Sequence, residues 1–306
     1  MQQTQAEQGI TELDFSPLTV DALSEITPIL KESGSMLCDY TPGGLLFGIR
    51  ELYSPQICLH DGRLFVSVLS EDGLSREFLM PTGDAERSLD MLYSYTKKNN
   101  IPFILGGITK DDAETAARHF GCEYEITDRL YDYVYDAESL ASLKGSKYHT
   151  HRTNIRKLER QHESYSYKRI EDAADIETAL AFADELFSGE EPVTSKYWQA
   201  GKDIVYDSLK NLNRLCMRAG ILCVDGMAAG VAVGFIKHET LYIHVLRAKR
   251  EIWGAWNLLC REFVSDSLSE IKYVNMEDDL ESEGIRRMKM SYAPIDFIRR
   301  CRINIT

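Results

Sequence analysis

MRAGILCVDGMAAGVAVGFIKHETLYIHVLRAKREIWGAWNLLCREFVSDSL, residues 217–268, is the stretch that decides the fold. Met217–Val224, Met227–Lys237 and Leu241–Arg247 are apolar, strand-like runs separated by Asp225-Gly226 and His238-Glu239. Runs of this length broken by an Asp-Gly pair read as an antiparallel meander. Gly254–Leu268 then reads as a helix. A strand at Ile271–Met276, a helix from about Glu281 to Ser291 and a last strand at Ile295–Ile303 complete this half of the chain.

Upstream, the same order occurs once more. Gln56–His60, Asp61-Gly62, Leu64–Ser70 and Asp72-Gly73 predict a meander ending near Met80. Ala85–Asn99 follows as a helix, with Asp84 as its cap and Leu89, Leu92, Tyr93 and Tyr95 at helical spacing. Pro102–Ile108 is a short strand, Lys110–Phe120 a helix ended by Gly121, and Glu123–Asp136 a long aromatic strand. Matched features are displaced by a near-constant offset, from Asp61 to Asp225 and from Ala85 to Gly254, which predicts an internal duplication. Helices at Asp21–Lys31, Ala137–Gln161, Ile176–Phe187 and Lys196–Leu212 frame the meanders. The order resembles the GNAT acyltransferase fold present twice: an α+β protein of two duplicated halves, 1–145 and 146–306, with mixed sheets flanked by helices. A long helix near Lys144–Arg160 is expected to join the halves. In the fold it resembles, the strand before the helix splays from its neighbour, and the donor's pyrophosphate rests on backbone N–H groups at the helix start.

Composition excludes several classes. The 306 residues are 44% hydrophobic and 27% charged, as in ordinary globular proteins, which removes disordered, collagenous and coiled-coil readings. The longest weakly polar run, Met227–Ile236, is about half a membrane span, so no integral membrane segment is expected. Met1–Glu12 is Gln-rich with no basic start and no apolar stretch, so a cytoplasmic location is expected. Seven cysteines without a C-x-x-C pair argue against a disulfide framework or a thiolate zinc site, and no metal is expected. The net charge of −13 argues against bulk attraction to nucleic acid or anionic lipid as the leading force, and no DNA partner is expected. Basic residues nevertheless concentrate between Lys144 and Arg169 and between Arg286 and Arg302, as a basic cleft for a phosphorylated ligand requires.

Three segments can carry chemistry. Lys147-Tyr148-His149 with Arg152 reads as a basic substrate-binding helix, or as a solvated helix face; His149 and His151 are wrongly spaced to share a metal from one helix. Leu246–Asn257 leaves a strand and enters a helix, where Arg247, Lys249, Arg250, Gly254, Ala255 and Asn257 are the candidates for holding donor phosphates. The GNAT pattern Arg/Gln-x-x-Gly-x-Gly/Ala is met at Arg250 and Ala255 only, because Trp253 replaces a glycine. Val274–Pro294 ends a strand in acids: Asn275, Glu277 and Asp279 share one face while the chain stays extended. Glu277 or Asp279 could deprotonate an acceptor, or Asp279 and Glu283 could favour the start of the next helix. Tyr292 could protonate a leaving group or merely pack. Arg287 and Lys289 join Asn275 as substrate-binding candidates.

Together, these segments resemble the soluble C-terminal domain of the phosphatidylglycerol lysyltransferases, over about Pro17–Phe297. The match is strongest at Lys147-Tyr148-His149, Arg152, Asn154 and Ile155, and at Glu277, Asp279-Leu280, Glu283-Gly284, Arg287, Lys289, Ser291-Tyr292 and Pro294. Fem-type peptidyltransferases share the tandem fold. The resemblance implies an acyl or aminoacyl transferase with a phosphorylated donor, either acyl-CoA or aminoacyl-tRNA; the family's lipid acceptor is not carried over to a chain this acidic and without a membrane segment, and a small-molecule amine or hydroxyl is expected instead. With no Cys or Ser beside a His in a nucleophile motif, direct transfer is expected. No tightly bound cofactor is expected, coenzyme A entering only as a donor. The other class consistent with the sequence is a non-catalytic module that keeps the cleft for a nucleotide or an RNA end.

Overall fold

Asp61 and Gly62 adopt positive φ (48° and 71°), as do Asp225 and Gly226 (49° and 78°), and these pairs close the two hairpins the sequence announces. The structure is a computed structural model that describes residues 12–49, 53–70, 73–188 and 196–305; Met1–Thr11 and Asp72 lie outside them. In chain order the first elements are β1 (Ser16–Pro17), α1 (Val20–Glu32), α2 (Pro42–Ile49), β2 (Gln56–His60), β3 (Arg63–Leu69), β4 (Arg76–Phe78), α3 (Ala85–Lys98), β5 (Phe103–Ile108), α4 (Lys110–Phe120) and β6 (Glu125–Asp136). Then come α5 (Ala137–Ser142), α6 (His149–Gln161), β7 (Tyr165–Arg169), α7 (Ala173–Ser188) and α8 (Lys196–Lys210). The chain ends with β8 (Arg218–Val224), β9 (Met227–Lys237), β10 (Thr240–Ala248), α9 (Ala255–Ser267), β11 (Tyr273–Asn275), α10 (Glu283–Ser291) and β12 (Asp296–Ile305).

Two compact units result, one of residues 1–19, 53–127 and 300–306, the other of 20–52 and 128–299. In the first, strands run in the order β1-β2-β3-β4-β5-β12. β4 and β5 are parallel, and the end of β12 closes antiparallel on β5, from Cys301↔Ile108 to Ile305↔Phe103. Its helices carry the caps their sequences promise: the Asp84 carboxylate accepts the Arg87 N–H, Thr109 and Asp112 form a capping box, and Gly121 ends α4 at φ 66°.

In the second unit the order is β6-β11-β10-β9-β8-β7. β6, last strand of the first half, pairs antiparallel with β11 (Asp136↔Tyr273, Val134↔Asn275). Each half therefore lends its final strand to the other's sheet, and the expected division at 145/146 falls inside the second unit. The α9 helix lays Leu258, Leu259, Phe263 and Val264 into a core with Tyr133, Tyr135 and Leu241. The expected single helix over Ala137–Gln161 is corrected to two. Leu143 (φ 49°) and Gly145 (φ 92°) turn the backbone left-handed between α5 and α6, and Arg152 donates to both of their carbonyls. Sequence reading also missed α2 and β7. Among the described residues no helix is long and apolar enough to cross a membrane.

Candidate functional site

Within the second unit, β10 and β11 are parallel neighbours over three positions only, Thr240↔Tyr273, Leu241↔Val274 and Tyr242↔Asn275. Beyond them β10 runs on to Ala248, while β11 stops and the chain turns at Glu277 (φ 61°). Carboxyl ends of parallel strands are where open sheets leave room for ligands. A bulge between Ile243 and Val245 leaves His244 without a register partner on β9, and its Nδ1 meets Glu277 Oε1. The imidazole is fully buried, whereas a quarter of the Glu277 side chain is exposed.

The loop after β11 is held from below. Lys289, buried in α10, gives its ammonium to the carbonyls of Met276 (2.5 Å), Glu277 (3.1 Å) and Asp278. Burial lowers its pKa, opposed by the nearby Glu277 and Asp278 carboxylates. With three donors on three carbonyls, Lys289 shapes this turn. Asn275 is buried, donating to Asp132 (2.9 Å) and accepting the Glu277 N–H (2.7 Å). Asp132 also accepts the Cys38 N–H at 2.8 Å. Cys38, Asp132 and Asp278 bring three metal-ligating atoms within 4.8 Å of one another, with Asp132 committed to these hydrogen bonds.

The extended reading of 275–279 is corrected here: the left-handed turn at Glu277 sends the two acids to different partners. Asp279 is 2% exposed and accepts from Tyr133 OH (2.5 Å), Arg286 Nε (2.7 Å) and Nη2 (3.3 Å), and the Glu281 N–H (3.0 Å). Burial pushes its pKa up, but the Arg286 and Tyr133 hydrogen bonds and the Arg286 charge outweigh this, so its carboxyl sits below the ordinary value. Asp279 does not cap α10; Ser282 does, accepting the Ile285 N–H.

Tyr292 is 1% exposed and stacks on His151, ring centroids 3.8 Å apart, while Asn257 donates to its hydroxyl at 2.6 Å. Burial drives this phenol well above its usual pKa, so it stays protonated. Asn257 also donates to His151 Nδ1 (3.0 Å), and His151 Nε2 reaches the Ser291 carbonyl at 2.9 Å. At the start of α9, Gly254 has φ 91° and its Cα lies against the Asn154 carbonyl. Trp253 donates to Asn154 Oδ1 at 3.0 Å, and Lys157 sits 4.7 Å above its indole ring. Lys249 pairs with Glu185 at 2.5 Å; Arg247 and Arg250 are exposed, and Ala255 is buried. Lys147, His149, Arg156, Lys157 and Arg160 lie exposed on and before α6, whereas Tyr148 is in the core. Arg287 is exposed on α10.

The structure thus brings Glu277, Asn275 and Lys289 together through the 276–278 turn, and joins Asn257 and Tyr292 to His151 in a separate network. His244 was missed in the sequence reading. Its only signal was a histidine interrupting the apolar run Leu241-Tyr242-Ile243-His244-Val245-Leu246.

Residues 53–303 match the family described as phosphatidylglycerol lysyltransferase, C-terminal. No curated protein matches the sequence. Among solved structures, a conserved protein of unknown function from Bacteroides thetaiotaomicron is similar with TM-score 0.80 and 25% identity, covering 96% of this chain and 100% of that one. The C-terminal domain of a putative lysylphosphatidylglycerol synthetase from Agrobacterium fabrum follows with TM-score 0.63 and 12% identity, covering 94% and 93%. L-PGS from Bacillus licheniformis gives TM-score 0.60 and 13% identity, covering 96% and 93%. With its tandem GNAT-like α+β architecture and a family match over most of its length, the chain belongs to the phosphatidylglycerol lysyltransferase C-terminal family.

Proposed function

We propose that this protein is an aminoacyl transferase that moves its group directly from aminoacyl-tRNA to an amine or hydroxyl acceptor, with Glu277 as the proton acceptor. The observation that carries the reading is the Glu277 carboxylate, part exposed at the point where β10 and β11 separate and fixed there by the Lys289-held turn. The acceptor's N–H or O–H proton passes to Glu277 as its nitrogen or oxygen attacks the ester carbonyl carbon. The new C–N or C–O bond forms, the ester bond to the tRNA 3′-terminal ribose breaks, and the ribose oxygen leaves with the proton that Glu277 received, which restores the carboxylate. Positioned general bases contribute roughly 10²- to 10⁴-fold.

RNA is favoured over coenzyme A by the surroundings of α9. The helix start is packed against Asn154, Trp253 stands where the GNAT pattern has glycine, and Lys249 is paired with Glu185. The exposed cations of α6 with Arg250 and the exposed Trp253 ring offer instead what single-stranded RNA requires, phosphate partners and a stacking platform. The test incubates the protein with aminoacyl-tRNAs labelled in the aminoacyl group and with pooled amines, hydroxyl compounds and lipids. Label should move to one acceptor class. Hydrolysis at the buffer rate, with no labelled product from any pool, would contradict the proposal.

A further inference from the structure

We infer that His244 is the positioning residue of this site: a neutral imidazole protonated on Nδ1, it donates to Glu277 Oε1, keeps Glu277 ionised and holds its second oxygen for the acceptor's proton. The inference rests on the transferase reading and adds to it a residue and a protonation state.

His244 Nε2 is buried and has no hydrogen-bond partner among the described residues. The contact with Glu277 can be made in three ways: a neutral ring donating from Nδ1 to a carboxylate, a neutral ring accepting from a protonated carboxyl, or an imidazolium facing a carboxylate. The second and third both place a proton on Nε2, leaving a buried N–H with no acceptor. A buried donor and a buried acceptor both forfeit hydration when unmatched, but the orphaned N–H is the rarer of the two in folded proteins. Only the first leaves nothing but a lone pair unmatched. The pair therefore carries a single negative charge, on Glu277, and a proton arriving from the acceptor rests on Glu277 until the leaving oxygen takes it, because His244 cannot accept it without creating the same orphan.

Ring and carboxylate are each fixed from outside the pair. His244 stands at the β10 bulge, and its ring lies on the backbone of Gly43 in α2: a Cβ at that position would fall 2.0 Å from Cγ, 2.2 Å from Cδ2 and 2.3 Å from Nδ1. Only glycine leaves room for the imidazole there. On the other side, the Lys289 ammonium holds the carbonyls that flank and include Glu277.

The test uses the intact chain. Nitrogen-15 imidazole spectra near neutral pH, with the His244 signals identified by their loss in His244→Gln, should show Nδ1 protonated and Nε2 bare; a proton on Nε2 overturns the inference without any assay. In the transfer assay, His244→Gln should lower kcat about a hundredfold with little change in KM, the effect expected of a group misplaced by roughly 1 Å. Gly43→Ala, which leaves both reacting groups in the chain but evicts the ring, should lower kcat similarly. In a Glu277→Gln background, His244→Gln should cost less than about threefold more, since the two act as one unit. Should Gly43→Ala fail to fold, the His244→Ala/Gly43→Ala double variant removes the conflicting ring atoms, Cγ included, and should fold. Transfer by wild type with unchanged kcat in His244→Gln refutes the positioning role and leaves the transferase reading standing. No transfer by wild type removes that reading and the role with it.

Discussion

Gly254→Ala probes the packing of α6 on the start of α9. Gly254 sits at φ 91°, ψ −8°, and a Cβ there would lie 2.4 Å from the Asn154 carbonyl oxygen and 2.8 Å from its carbon. Both are backbone atoms of α6, so the conflict is relieved only by moving a helix. Left-handed backbone costs a non-glycine residue about 1–2 kcal/mol, and overpacking typically adds about 1–3 kcal/mol. Restricting the unfolded chain returns about 0.4–1 kcal/mol. The net expectation is a loss of about 2–4 kcal/mol, read as a lower guanidinium midpoint at unchanged slope. Gly226→Ala is the control: its φ is 78°, but beyond its two chain neighbours no atom of the described residues lies within 4 Å of the added carbon. It should lose no more than about 1–2 kcal/mol, the conformational share alone. Equal effects at the two glycines, or a loss below about 1 kcal/mol at Gly254, would refute the packing argument. Because Trp253 and Lys157 meet at this contact, Gly254→Ala should also weaken RNA binding in a filter assay.

Asp279→Asn should cost about 2 kcal/mol by denaturant titration, the scale of hydrogen bonds to a charged group, and not be silent as a cap exchange would be. Since the folded pKa of Asp279 is depressed, its contribution is complete above the unfolded value of about 3.9 and is lost as pH falls through the folded value; the wild-type advantage over Asp279→Asn should therefore persist at pH 5 and shrink below pH 4. His151 behaves oppositely in origin: burial lowers its pKa, with the Ser291 carbonyl opposing, so below about 6.5 the unfolded chain binds a proton that the native state refuses. Stability should fall from pH 6.5 toward 5.5 more steeply in wild type than in His151→Gln, and equal slopes would show that His151 does not titrate on unfolding. Changing Arg156, Lys157 and Arg160 together to Ala should reduce tRNA affinity at least tenfold at low salt and flatten the salt dependence by about three counterions; unchanged slopes would place the RNA elsewhere.

How far the sequence could be read depended on whether the signal was local. Asp225-Gly226 and the apolar runs around it define β8, β9 and β10 almost to the residue, because turn chemistry and alternation act between near neighbours. Pro42-Gly43-Gly44 carries no local helix signal, yet it opens α2: proline is accommodated at the first helical position, and Gly43 is there for the His244 ring, two hundred residues distant. The exchange of β6 and β12 left no trace either, since alternation in a strand states which face is apolar and not which sheet edge it joins. At the site, Glu277 stood out as an acid closing an apolar strand. Its companion in sequence, Asp279, was misjudged because its partner Tyr133 lies 146 residues away, and His244 was silent because only the bulge in β10 brings it to Glu277.

The most direct test of the account is the single-turnover rate of aminoacyl transfer by Glu277→Gln, measured at saturating donor beside wild type. Glutamine preserves size and can still meet His244, but cannot take a proton, so the rate should fall roughly 10²- to 10⁴-fold while tRNA binding and the melting temperature stay close to wild type. A Glu277→Gln enzyme that transfers at the wild-type rate would contradict the account, since the acceptor would then be reaching the ester already deprotonated.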